Sequence, residues 1–159
     1  MRAQYLAGVL AVAFCANASD WPQHRGPNRD GISTETGLLA VWPAGGPRMV
    51  WTSKGAGEGY SSVAIANGRL YTQGRRTDGQ FVFAFDAGTG KRIWETRTTA
   101  RYSSHGNDIG PHGTPTVDGN RLYALAIDGT LVCLIQRPGK PFGRRISSRN
   151  SAQKLFPGA

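Results

Sequence analysis

Two apolar runs hinged at Asn67-Gly68 set the pattern of this chain: Val63-Ala64-Ile65-Ala66 precedes the dipeptide and Leu70-Tyr71-Thr72 follows it. A type I′ turn needs φ > 0 at both central residues, and Asn followed by Gly tolerates that best, so the pair predicts a tight hairpin. Asp78-Gly79 then leads into Phe81-Val82-Phe83-Ala84-Phe85-Asp86, and Ala87-Gly88-Thr89-Gly90-Lys91 leads into Arg92-Ile93-Trp94. The stretch from Gly59 to Trp94 therefore carries four strands. Side chains alternate along a strand, which places Phe81, Phe83 and Phe85 on one face and Val82 and Ala84 on the other. Both faces are apolar, as expected of a sheet lying between two neighbouring layers. Asp86 is expected to satisfy backbone N–H groups in the turn through Thr89-Gly90.

A second copy follows. It begins at Gly113-Thr114-Pro115-Thr116-Val117-Asp118-Gly119-Asn120, and Arg69-Leu70-Tyr71 returns 52 positions later as Arg121-Leu122-Tyr123. Asp78-Gly79 returns as Asp128-Gly129, ahead of Leu131-Val132-Cys133-Leu134. A period of roughly 40 to 50 residues with four strands per copy is the signature of β-propeller blades, whereas helical solenoids would show spacing of about 3.6 residues. No such spacing occurs after residue 20. The expectation is an all-β chain, a partial β-propeller with about two four-stranded antiparallel blades over residues 59–134.

The run from Ala84 to Trp94 resembles the blade motif A-x-D-A-x-T-G-K-x-x-W of pyrroloquinoline quinone (PQQ)-like propeller repeats. Trp21-Pro22-Gln23-His24-Arg25-Gly26-Pro27-Asn28-Arg29-Asp30-Gly31 resembles the opening of secreted bacterial proteins of that group, so the resemblance covers residues 20–134. It implies a ring of seven or eight blades in the intact family, with Trp94 packed across to the adjacent blade as a structural residue. It also implies one of three roles. The first is a binding or scaffold platform without a catalytic site. The second is a piece of a PQQ-dependent alcohol or sugar dehydrogenase, which would hold PQQ and calcium at the centre of the ring. The third resembles the propeller scaffold of outer-membrane protein assembly. The chain lacks the adjacent-cysteine pair seen in many such dehydrogenases, and two blades cannot surround a cofactor, so the first role is expected and no cofactor is assigned.

Residues 1–18 carry Arg2, an apolar run from Tyr5 to Phe14, and Ala16-Asn17-Ala18, a site that a signal peptidase can cut before Ser19. The run is too short for a stable bilayer anchor, so a periplasmic or secreted protein with no membrane span is expected. A lipid anchor would need a small residue before Cys15, where Phe14 stands. After cleavage Cys133 is the one remaining cysteine, which excludes an intrachain disulfide. Its place in a strand favours a small core residue over a nucleophile. Residues 19–58 are rich in Pro and Gly and carry Trp21, Trp42 and Trp51, so they are expected to wrap the blades and to supply a strand around Met49-Val50-Trp51-Thr52.

Candidate chemistry is sparse. Arg25-Gly26-Pro27-Asn28-Arg29 and Gly55-Ala56-Gly57-Glu58-Gly59 offer flexible backbone, but neither leads into a helix whose N-terminus would hold a phosphate, so both read as turns or loops. The segment from Arg101 to Pro115 joins the two copies and carries His105, Asp108 and His112. These are weak metal candidates because their spacing matches no standard ligand motif, and an inter-blade loop is the expectation. No catalytic residue is nominated.

After Leu134 the repeat pattern fails. Residues 135–159 hold six basic residues, no acidic ones and no strand alternation, and are expected to form a disordered tail. Of the 19 basic residues, these six and Arg2 lie outside residues 19–134, which leaves 12 basic against 10 acidic, so the folded part is close to neutral and no nucleic-acid partner is expected. Permissible codons from Leu134 onward, read one base back, spell Asp-Pro-Ala-Thr-Gly-Lys-Thr-Val-Trp-Thr-Lys-Asn-Leu, which is the missing blade motif in register. The tail is thus expected to be an out-of-frame reading of a truncated family member. Such an unclosed pair would leave Phe-rich and Val-rich faces exposed and would depend on a partner, either the remaining blades or an envelope protein.

Overall fold

The computed structural model describes residues 19–99, 110–135 and the backbone of residues 145–148. Strands β1 (Ala64–Ala66), β2 (Arg69–Arg76), β3 (Gly79–Asp86) and β4 (Arg92–Thr99) form one antiparallel sheet in chain order. Strands β5 (Thr116–Asp118), β6 (Arg121–Leu125), β7 (Leu131–Ile135) and β8 (Arg145–Ser148) form a second sheet of the same order. The chain is therefore all-β among the described residues, and its two sheets are the two blades the repeat predicts.

Local chemistry explains the turns. Asn67 and Gly68 have φ of 53° and 69°, and Ala66 pairs with Arg69, which is the I′ geometry anticipated for this dipeptide. In the second sheet Gly119, with φ of 55°, opens the equivalent two-residue turn between Asp118 and Arg121. Between β3 and β4, Asp86 Oδ1 accepts from the Thr89 backbone N–H at 2.8 Å and from its hydroxyl at 2.7 Å. The Thr89 hydroxyl, followed by its N–H, holds the Asp86 carboxyl below the usual carboxylate range.

The core lies between the sheets. Tyr71, Val82, Ala84 and Trp94 of the first sheet cluster with Val117, Leu122, Ala124, Val132 and Leu134 of the second. Burying a Val or Leu side chain contributes about 1.5–3 kcal/mol, so this seam is the main source of attraction between the blades. Trp94 sits in it with its ring centroid 6.1 Å from that of Tyr71, which is the structural role the family resemblance implies.

The opposite face of the first sheet departs from expectation. Phe81, Phe83 and Phe85 form a stacked ladder there, and all three are buried rather than exposed. Ala56 and Leu70 pack on them, and the Arg76 guanidinium lies 5.0 Å and 4.9 Å from the Phe81 and Phe83 ring centroids. Nearby, Trp51 donates from Nε1 to the Ala87 carbonyl at 3.0 Å. The amino-terminal segment thus reaches the ladder through Ala56 and the following turn through Trp51, without forming a strand at either place.

Two further expectations are corrected. Met49-Val50-Trp51-Thr52 forms no strand, and Trp42 is exposed. Residues 19–58 pair with the sheet through isolated bridges, Trp21 to Ile65 and Glu58 to Arg75. The reason is geometric: β1 covers β2 only from Arg69 to Tyr71, leaving the rest of that inner edge for Glu58 and Ser61. After Leu134, Arg145–Ser148 pairs antiparallel with β7, so the stretch read as structureless supplies the outer strand of the second sheet. An edge of unpaired backbone groups on β7 accepts a fourth strand whatever its side chains. Residues 1–18, 136–144 and 149–159 lie outside the described residues, and with them the expected leader and the rest of the tail.

Candidate functional site

Where the two blades meet, polar side chains replace apolar ones. Gln80 is fully buried, and its Nε2 donates to Gln73 Oε1 at 3.0 Å, while its Oε1 accepts from the Ile127 N–H at 3.0 Å. Gln73 Nε2 in turn donates to the Gly113 carbonyl at 2.7 Å. Thr98 donates to the Gln80 carbonyl at 3.0 Å, and Thr99 donates to Asp128 Oδ2 at 2.7 Å. This relay ties β2, β3 and β4 to the segment ahead of β5 and to the turn after β6. Apart from the Asp128 carboxylate at its edge, its members are amides and hydroxyls, which fix geometry. Sequence reading missed both glutamines, because a Gln in a strand carries no signal of burial until its tertiary partner is known.

At the same end, Gly59 and Gly110 let two loops approach closely. A side chain at Gly110 would lie 2.3 Å from the Glu58 carbonyl, and one at Gly59 would lie 2.8 Å from the Pro111 ring. The Tyr60 N–H donates to the Pro111 carbonyl at 2.9 Å, and the exposed His112 ring stacks on Tyr60 with centroids 4.8 Å apart. Of the three metal candidates, His112 is placed here against an aromatic ring, while His105 and Asp108 lie outside the described residues. Among the described residues no three His, Cys, Asp or Glu side chains converge as metal ligands would.

An open cavity of about 410 Å³ lies beside this point, lined by Gly57, Glu58, Arg75, Arg76 and Thr77. Its cations are already matched. Arg75 pairs with Glu58, and Arg76 meets Glu95 in a bidentate contact at 2.8 Å and 2.7 Å. Arg92 reaches the same carboxylate at 2.9 Å. The hydrogen bonds from Arg76 hold the Glu95 carboxyl below its usual range. Both arginines that line the cavity are thus engaged by carboxylates.

The outer face of the second sheet is different. Strand alternation sends Leu122, Ala124, Val132 and Leu134 to the core and leaves Tyr123, Leu125, Leu131, Cys133 and Ile135 facing away from it. Leu125 is 53% exposed and Leu131 38%, and they pair directly across the strands, as do Tyr123 and Cys133. Cys133, expected in the core, thus sits half-buried on this outer face as a free thiol. No segment among the described residues covers these side chains as Ala56 and Trp51 cover the first sheet. The segment 32–50 adds further exposed apolar groups, among them Val41, Trp42, Met49 and Val50. Among the described residues no helix is long and apolar enough to cross a membrane.

Residues 35–141 match the sequence family described as outer membrane protein assembly factor BamB, a PQQ-like repeat family. No curated protein matches the chain.

Proposed function

Since the chain belongs to the PQQ-like repeat family, we propose that it is an exported propeller module that binds protein partners through open blade faces and carries no catalytic site of its own. The observation that supports this reading is the apolar face of the second sheet, centred on Leu125 and Leu131, which is exposed among the described residues. A blade normally lies between neighbours, and a contiguous apolar face without one marks an interaction surface. The polar relay through Gln73 and Gln80 supports it from the other side, since it holds the two sheets in one arrangement and presents that face as a rigid platform. The partner is an envelope protein or further propeller blades. The apolar run from Tyr5 to Phe14 followed by Ala16-Asn17-Ala18 supports reading the chain as exported to the periplasm or beyond the cell.

Cross-linking in the envelope fraction tests the reading. The wild-type chain is expected to give a discrete cross-linked species, and the double variant Leu125→Asp/Leu131→Asp to reduce its yield about tenfold while keeping the wild-type circular dichroism spectrum. Two buried apolar contacts replaced by charges justify that magnitude. An unchanged yield from the folded variant would contradict the proposal.

A further inference from the structure

The chain enters the described fold through a notch lined by carboxylates. The Ser19 nitrogen donates to Glu35 Oε1 at 2.5 Å. The Asp20 carboxylate accepts from the Asn67 N–H at 3.1 Å and 3.3 Å. Trp21 exchanges backbone hydrogen bonds with Ile65 at 2.7 Å and 2.8 Å. Three consecutive residues are therefore pinned, the first to the Glu35 turn and the next two to the first blade. Glu35 is itself positioned by its own N–H, which donates to Ser33 Oγ at 3.2 Å. Trp21, Ile32 and Ser33 help to wall a cavity of about 130 Å³ at this point, and the charged groups lining it, Asp20 and Glu35, are both negative.

The Ser19 nitrogen changes character if the preceding bond is cut. In a chain that runs through Ala18 it is a neutral amide with one hydrogen. Hydrolysis of the Ala18–Ser19 bond consumes one water, leaves a carboxylate on Ala18 and frees an amine on Ser19, which is protonated below a pKa of about 8. That ammonium has three donors and a positive charge, facing the Glu35 carboxylate in a cavity that the Asp20 carboxylate also lines. We propose that Glu35, in the notch that Asp20 also lines, is a receptor for the α-ammonium of Ser19, so that leader cleavage converts a hydrogen bond from a neutral amide into an ion pair and latches the new amino terminus beside the first blade. The inference rests on the export reading above, with cleavage before Ser19, and adds to it what processing does to the fold. Capture of a terminal amine by fixed acceptors is an established recognition mode. The contact already holds the Glu35 carboxyl below its usual range, through the Ser19 N–H.

The test uses the chain beginning at Ser19, which keeps every described residue, alongside the same chain with Glu35→Gln. An NMR titration of the Ser19 α-amine is expected to give a pKa raised by roughly half a unit, the size of an exposed ion pair, and a return to the ordinary value in Glu35→Gln. Acylation of that amine at pH 7 is expected to run roughly threefold slower in the wild type, in proportion to the smaller free-amine fraction. Equal pKa values and equal rates in the two chains overturn the latch. Amino-terminal sequencing of the exported product of residues 1–159 decides the processing half: Ser19 in first position supports it, and any other first residue overturns it. A product that keeps Met1 inside the cell refutes the export reading instead, and the titration alone then decides whether the notch holds an amine.

Discussion

Gly90 closes the turn of the blade motif with φ of 70°, and a Cβ there would lie 2.4 Å from the Trp51 ring. Two separate constraints therefore demand glycine. The left-handed backbone costs other residues about 1–2 kcal/mol, and the indole that donates to Ala87 would have to move as well. Gly90→Ala is expected to lower stability to urea by at least that amount, while Gly88→Ala, whose Cβ finds only an ordinary contact with Asp86 at 3.6 Å, stays near neutral. Equal losses in the two variants would show that the turn is not held as described. Half of this arrangement was legible in advance. Asp86, Thr89 and Gly90 announce a turn because their chemistry is local, and the hydrogen bonds from Thr89 to Asp86 are the expected ones. The partner, Trp51, lies far back in a segment with no periodicity, so nothing local pointed to its target.

At the scale of elements, the strands of the first sheet follow from alternation and from Asn67-Gly68, and the second sheet follows from repetition. The exceptions share one cause, which is that strand pairing depends on an available edge and not only on apolar content. Met49-Val50-Trp51-Thr52 reads as a strand yet pairs with nothing, whereas Arg145–Ser148, with little strand character, pairs along β7. The buried glutamines fall under the same heading, because their value is set by what faces them. Gln80→Leu removes the acceptor for Ile127 and the donor for Gln73, leaving two interior groups without partners. Such a loss costs about 1–3 kcal/mol. The variant is expected to unfold at lower urea concentration and to exchange the Ile127 amide faster than wild type, with β3 amides protected as before. Unchanged exchange at Ile127 would show that the relay does not join the blades.

For the whole molecule, the two sheets share one apolar seam and differ in what lies outside it. The Phe81, Phe83 and Phe85 ladder is buried, with Ala56 of the amino-terminal segment packed on it, while among the described residues the face bearing Leu125 and Leu131 stays exposed. On the proposed function, that asymmetry would make the second sheet the side that meets a partner. The repeat made the stacking legible, because each copy has an apolar face that a lone sheet cannot bury. It did not reveal which face would be covered, since a Pro-rich and Gly-rich wrap folds by fitting the surface beneath it. The central claim is that the second copy stacks on the first through Val82 and Ala84 against Leu122 and Val132. Methyl-to-methyl nuclear Overhauser effects test it directly. Cross-peaks linking Val82 or Ala84 to Leu122 or Val132 are predicted, and their absence from a spectrum that shows the contacts within each sheet would contradict the account.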